Sequence, residues 1–470
     1  MEKVDAVIKS VLERIKPTED EIKEVKELVK LLEDAGNKVV KEVGGTAKVQ
    51  GSIAHGTWIS GEKDVDLFLI FPSTIDRESL LDYCYKVAEE INASEVIEAY
   101  AEHPYVRAKL GDYTIDIVPC YKIADAKFKV TSADRTPLHT EYILKHLDDR
   151  LRDEIRLLKQ FMKGIGVYGA EIKVRGFSGY LCELLIIHYG SFVDCVKDAS
   201  NWRHKKIIDI EGYYKDFPEK LNVIFNEPLV VVDPVDSSRN VAASVSLENF
   251  YRFREASRAF LMDPSEKFFF PSEITPLSPE ECLSKMSSRG TDFIVITCRK
   301  PNVVDDILWG QIDKSVKAFR NILKTWKFNV VRIEAYASDE KLYFIIELEH
   351  IRMPNIEIHR GPLVTIRIHS ANFVRKYTTT AKDEVFSGPY IRGGRWYVER
   401  KRKYSDARVL LLDYLLNKID SSGIASRIRR SIKKEFDMFI NEEILSLYRF
   451  DDSFAKFFTC FLEKIEPWLR

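Results

Sequence analysis

Residues 51–71, GSIAHGTWISGEKDVDLFLIF, set two carboxylates inside what otherwise reads as a buried strand. Val65, Leu67, Phe68, Leu69, Ile70 and Phe71 are apolar and mostly strand-favouring. A charge in such a run is costly unless something compensates it. Residues i and i+2 of a strand point to the same face, so Asp64 and Asp66 stand side by side. A bound cation relieves their repulsion best. A third acid, Asp116, recurs in the same setting in YTIDIVPCY (113–121). Three carboxylates on neighbouring strands make a hard-oxygen set suited to Mg²⁺. Two such ions about 4 Å apart would activate an attacking hydroxyl and stabilise the leaving oxygen of an in-line phosphoryl displacement. The bland alternative is a pair of strand-end acids that cap turns.

Upstream of the acids, Gly51 and Ser52 form a turn that leads from KVQ into a short helix. Its backbone N–H groups and the serine hydroxyl could hold a triphosphate. Gly-Ser alone is a generic turn; followed twelve residues after the serine by D-x-D on a strand, it is much more specific. Around this pair the chain reads as an α/β module. Thr18 and Glu21 make a capping box for a helix over 18–35 with an Ile22, Val25, Leu28, Val29, Leu32 stripe. Residues 76–91 read as a helix, and SEVIEAYAE (94–102), YVRAKL (105–110) and 113–121 as strands.

From 154 to 260 the periodicity is mainly helical, and the apolar stretch SGYLCELLIIHYGSFVDCV (178–196) is expected as one buried core helix, because it contains Glu183, His188 and Asp194. DPVDSSRN (233–240) reads as a loop, and PSEKFFFPSEITPLSPEE (264–281) as a linker. DFIVITC (292–298), a helix through Leu308, Ile312, Val316, Phe319 and Leu323, and a hairpin of NVVRIEAY with KLYFIIELEHI give a β-α-β-β order that fits a ferredoxin-like or RRM-like body. The RNA-stacking signature of a true RRM is missing. The rest reads as a helical tail with two basic runs, RWYVERKRKY (395–404) and SRIRRSIKK (426–434). The expected class is α+β and multidomain: a catalytic head over 1–150, a helical central domain over 151–262, a ferredoxin-like body over 263–385 and a basic helical tail over 386–470.

Composition constrains the partners. Among 470 residues the net charge is −1, so a nucleic-acid surface must be local. Seven scattered cysteines without a C-x-x-C pair read as reduced and not zinc-binding. MEKVDAVIKS (1–10) is amphipathic and lacks the apolar core of a signal peptide, and a cytoplasmic protein without a membrane partner is expected.

The Gly-Ser and D-x-D layout resembles the nucleotidyltransferase superfamily that includes DNA polymerase β. AEHPYVRAKL (101–110), IDIVPCYK (115–122), TSADRTPLH (131–139), IGVYGAEIKVRGFSGYLCELLI (165–186) and VVDPVDSSRNVAAS (231–244) together resemble the archaeal, class I CCA-adding enzymes. These are tRNA nucleotidyltransferases that build the 3′ CCA end from CTP and ATP. The resemblance is strong to about residue 300 and looser beyond it. It implies a polymerase β-like head and a two-metal Mg²⁺ site in which Asp64, Asp66 and Asp116 are catalytic. It further implies that Gly51, Ser52, Thr136 and His139 lie by the nucleotide phosphates, that Lys159 and Tyr168 hold phosphate and sugar, and that Arg239 helps select the base together with the bound RNA. His55 stands where the family often has an arginine, which leaves the triphosphate contact there either weaker or supplied by Lys159, and Gly56 beside it loosens the short helix. The expected tRNA contacts are Lys173 and Arg175, Arg203 in NWRHKK, and Arg400, Lys401, Arg402, Arg427 and Arg430 in the tail, facing the acceptor stem and elbow. A homodimer is compatible with the sequence. Competing readings are a poly(A) polymerase or an oligoadenylate synthase of the same superfamily, and a non-catalytic tRNA-binding protein.

Overall fold

The segment around the two acids folds as α1 (Glu2–Ile15), α2 (Glu19–Val40), β1 (Thr46–Gln50), α3 (Gly51–His55), β2 (Asp64–Phe71), α4 (Leu80–Glu90), β3 (Ser94–Tyr100), β4 (Pro104–Leu110) and β5 (Tyr113–Tyr121). This computed structural model describes residues 2–100 and 104–470, so the last two residues of the strand expected over 94–102 lie outside it. Among the described residues these strands form one sheet in the order β1-β2-β5-β4-β3. β2 and β5 run parallel, with Asp66 opposite Asp116 and Asp64 opposite Thr114. The strand period sorts the faces. Val65, Leu67, Leu69, Ile115 and Ile117 are buried together with Leu32 and Val40 of α2 and Cys84 and Val87 of α4. Asp64, Asp66 and Asp116 therefore fall on the other face. The Thr18–Glu21 capping box opens α2 as expected.

α5 (Thr136–His146), α6 (Asp149–Gly164), α7 (Gly179–Tyr189), α8 (Phe192–Ala199), α9 (Glu219–Ile224) and α10 (Leu247–Met262) follow. The stretch expected as one core helix breaks at Gly190, whose φ of +78° suits glycine, and α7 and α8 meet at 95°. Both are buried through Leu181, Leu184, Leu185, Phe192 and Cys195. Among the described residues no single helix is long and apolar enough to cross a membrane. The 233–240 segment is not a loop: β7 (Leu229–Asp233) and β8 (Asp236–Asn240) form a hairpin, with β6 (Lys206–Ile208) parallel to β7. The expected linker also starts later, because Phe268 and Phe269 are buried in the helical core. Gly164 allows this close approach; a Cβ there would lie 2.2 Å from the Phe268 carbonyl oxygen. The chain divides into two units, the first running to Glu273 and regaining Ile465–Arg470, where Trp468 stacks on Phe268.

The second unit, Ile274–Lys464, contains α11 (Pro279–Ser288), β9 (Asp292–Arg299), α12 (Asp305–Thr325), β10 (Val330–Ala337), β11 (Lys341–Leu348), β12 (Ile356–Leu363), α13 (Arg367–Arg375), β13 (Val385–Arg392), β14 (Arg395–Lys401), α14 (Ala407–Asn417), α15 (Ser426–Lys434), β15 (Phe436–Ile440), α16 (Ile444–Phe450) and α17 (Asp452–Glu463). The expected hairpin is β10–β11. The sheet order β10-β11-β9-β15, antiparallel throughout, is the ferredoxin-like arrangement. Its second helix and fourth strand are α15 and β15, so the segment read as a helical tail completes the body sheet. RWYVERK is likewise a strand, β14, central in a small sheet β12-β14-β13 inserted between β11 and α14. α13 and the helical turn after it cover one face of that sheet through Phe373 and Tyr377, which pack with Val398.

Candidate active site

The three acids share one face at the C-terminal side of the turn that carries Gly51. Asp66 is accessible to water, yet protein packs closely around it. That enclosure, then the neighbouring charges of Asp116 and Asp64, push its carboxyl up to about 6. Asp64 is raised by burial, then by the charges of Asp116 and Glu62, and Arg107 and Lys163 offset them in part. Gly51 sits against this face with φ +68°, and a Cβ on it would lie 2.7 Å from Asp66 Oδ2. Only glycine serves there. A cluster of carboxylates that repel one another, approached by a side-chain-free backbone, fits hard cations bridging protein oxygens and phosphate. Among the described residues, no three donors of the His, Cys, Asp and Glu types are yet spaced as one ligand set. Arg107 on β4, directly opposite Asp116 in register, donates Nε to its Oδ1 and Nη2 to its Oδ2, each at 2.7 Å. Sequence reading missed Arg107, because a polar residue in an alternating strand reads as solvent-facing.

Behind the Gly-Ser turn, α3 is anchored from its far end. Gly56 adopts φ +69° and caps α3; it terminates the helix and does not loosen it. Arg152 Nε donates to the His55 carbonyl at 2.9 Å, and Arg156 donates to the Gly56 and Trp58 carbonyls at 2.6 and 2.9 Å. His55 itself points inward. It is 3% exposed, with Nδ1 2.9 Å from Glu183 Oε2 and Nε2 3.0 Å from Thr140 Oγ1. Both ring nitrogens are engaged, so His55 is corrected from a phosphate contact to an internal brace. Lys159 is 1% exposed and donates to Thr57 O and Oγ1 at 3.2 and 3.0 Å, with Glu183 Oε1 at 3.5 Å. It too is held inside the protein in this arrangement. Burial pushes Glu183 upward, but Lys159, then His55 and Thr57, outweigh it and hold the carboxyl at about 2. Glu183 is the centre of this network; in the sequence it was only a charge that argued against a membrane span.

Tyr168 stands beside Lys159. A Cβ on Gly179 would be 3.1 Å from the Tyr168 hydroxyl and 3.8 Å from Lys159 Nζ. Burial keeps the Tyr168 phenol well above its ordinary range, so it is a neutral donor. Ser52 and Thr136 are half-buried at the starts of α3 and α5. One turn further along α5, His139 stacks on Tyr180 at 4.3 Å and places Nε2 3.0 Å from Asp233 Oδ2. Arg239 Nη1 reaches the same oxygen at 2.7 Å, with a side chain 32% exposed. Burial, against the pull of Asp233, holds the His139 imidazole below its usual value. Asp233, fully buried, thus joins two of the expected nucleotide residues, which lie far apart in sequence.

The expected RNA contacts divide by strand parity and helix face. Arg400 and Arg402 point to the covered side of the inserted sheet. Arg400 Nε and Nη2 lie 3.0 and 2.9 Å from Glu357 Oε1, and Arg402 donates to the Pro354 carbonyl at 3.2 Å. They are corrected to internal partners of that sheet. Lys401, between them, is exposed on the other side. Arg427 and Arg430 are exposed on α15, whose Ile428 and Ile432 are buried. Lys173, Arg175 and Arg203 are exposed on the first unit.

The comparisons agree with this geometry. The family model described as "Nucleotidyltransferase domain" matches residues 22–139, "tRNA nucleotidyltransferase, second domain" matches 153–270, and "CCA-adding enzyme, C-terminal domain" matches 289–441. A CCA-adding enzyme of Methanosarcina barkeri is 37% identical over 94% of this chain and 95% of its own. Another, of Methanothermobacter thermautotrophicus, is 36% identical over 98% of each. A solved structure titled as a cytoplasmic RNA terminal U-transferase covers 56% of this chain and 95% of its own, at 16% identity and a TM-score of 0.43, too distant to bear on function. Identity of this order along nearly the whole length, with three acids on one face of a polymerase β-like head, means that the chain belongs to the CCA-adding enzymes, a family of tRNA nucleotidyltransferases.

Proposed function

We propose that this protein restores the 3′ CCA of tRNA in the cytoplasm, adding CTP twice and ATP once with release of pyrophosphate. The observation that carries this reading is the register of the head sheet, which sets Asp66 opposite Asp116 on a parallel strand with Asp64 on the same face. Asp64, Asp66 and Asp116 would hold two Mg²⁺ ions. When bound, the ions supply Lewis-acid activation of the 3′-hydroxyl and charge neutralisation at the leaving pyrophosphate. The protein's own part is positioning. Gly51 lets backbone approach Asp66, and Ser52 and Thr136 present hydroxyls to the phosphates. Tyr168 offers a neutral phenol at the sugar and phosphates. Lys159 would complete that contact by moving from Thr57. Asp233 fixes His139 and Arg239 so that the guanidinium meets the base edge.

For the RNA, Lys173, Arg175 and Arg203 suit the acceptor-stem backbone, while Arg427, Arg430 and Lys401 suit the elbow. Beside Lys401, the open face of the inserted sheet carries Arg360 and a Tyr390–Tyr397 stack at 5.9 Å, basic and aromatic groups interleaved as for unpaired bases. Recognition by backbone and shape suits an enzyme that must accept every tRNA. The test is incubation with tRNA lacking CCA and each labelled nucleotide, followed by sequencing of the products. Two C and one A, then arrest, is expected. A alone, or an open-ended A tail, would turn the reading to a poly(A) polymerase or oligoadenylate synthase.

A further inference from the structure

Across the head sheet, Asp66, Asp116 and Arg107 stand in one row, each opposite the next. Asp116 is the middle member, with a like charge on one side and a guanidinium on the other. Both of its oxygens are occupied by the guanidinium of Arg107 on β4, whose charge also acts on Asp64 and Asp66. Arg107 is half-exposed, and its Nη2 also lies 3.3 Å from the Tyr105 hydroxyl, so it has a second partner to move to. We infer that Arg107 is a latch: a positioning residue that draws the third carboxylate out of the metal-binding set and gives it up when divalent ions bind. This rests on the metal-dependent reading above.

The physical case is competition. A fork-to-fork pair occupies both oxygens in the carboxylate plane, and it places a positive charge where a cation bridging to Asp66 would be repelled. The pair neutralises one of three crowded acids, which lowers the charge on the face until the ions arrive. On release the guanidinium can keep its contact with the Tyr105 hydroxyl.

The test is Mn²⁺ binding followed by electron paramagnetic resonance near pH 7, without nucleotide or RNA. Arg107→Gln should bind Mn²⁺ about three- to tenfold more tightly than wild type, and Arg107→Lys, which keeps charge but loses the fork, should fall between them. A second measurement uses unmodified protein labelled with ¹⁵N-arginine. The Arg107 Nε–H signal should shift and lose protection from exchange as Mg²⁺ is added. Unchanged or weaker Mn²⁺ binding in Arg107→Gln, or an Arg107 signal that Mg²⁺ leaves in place, would overturn the latch. Failure of the metal reading itself looks different: wild type would not bind Mn²⁺, or binding would survive Asp66→Asn.

Discussion

Glu183 and Asp66 are the same chemical group in opposite circumstances, about as far apart in character as two carboxylates of one domain can be. Glu183 is 2% exposed, surrounded by a lysine, a histidine and a threonine, and held at about 2. Asp66 is open to water, flanked by two other acids, and raised to about 6. Enclosure by protein raises both carboxyls. The sign of the neighbours decides: the buried acid has all its partners inside the protein, and the accessible one lacks partners that only ligands can provide. A satisfied charge braces the turn, and an unsatisfied one is kept for work.

The sharpest way to break this contrast is Asp66→Asn. Nucleotide addition should fall by roughly 10³-fold, while Tm in EDTA rises, because a repelling charge is gone. The sign follows from linkage: an acid whose folded pKa exceeds its unfolded value opposes folding above that folded value and not below the unfolded one. Thermal melts of wild type from pH 7 to pH 5 should therefore lose part of this penalty as Asp66 protonates, the rest going only as pH nears the unfolded value, and Mn²⁺ affinity should drop over the same range. A Tm that falls in Asp66→Asn would make Asp66 a structural acid after all.

Glu183→Gln should do the opposite, costing about 3–5 kcal/mol in urea unfolding, since Lys159 is left buried without its counter-charge. The stability Glu183 contributes is present above its unfolded pKa near 4.5 and lost only as pH falls toward about 2. A loss below 1 kcal/mol would show that the network is slack. Next in size, Arg239→Ala should cost about 1–3 kcal/mol of discrimination against UTP, measured as the ratio of kcat/KM values; unchanged preference would leave Arg239 as only the partner of Asp233. The smallest effect expected is at the RNA faces. Replacing Arg427 and Arg430 by Ala should weaken tRNA binding and reduce its salt slope by about 1.5–2, whatever the tRNA sequence. An unchanged slope would place the RNA elsewhere.

Much of the head was legible in the sequence because its strands carry acids among β-branched residues, a pattern that fixes both strand and face. What stayed hidden depends on partners remote along the chain. Nothing local in FDMFI, which follows a basic helix after the single residue Glu435, says that it completes a sheet begun at Asp292. His55 reads as a weakened triphosphate contact until Glu183 is brought to it from 128 residues away. Residues 233–240 read as a loop because Asp236–Asn240 is too short and polar to read as one strand of a hairpin. Arg400 and Arg402 look like Lys401 in a basic run, and only strand parity turns them inward.

The position of β15 also matters during synthesis. β9 is the inner strand of the body sheet, and its apolar edge is matched only when Phe436–Ile440 has left the ribosome. Until then the nascent chain carries β9, β10 and β11 with one inner edge bare, while the inserted sheet and α14 emerge ahead of the missing strand. Such late, non-local pairing slows folding and exposes an edge to other chains. The inserted small sheet is thus tolerated inside a body that must wait for it, and a message truncated before codon 436 should yield an insoluble product even though nearly every residue of the head has already been made.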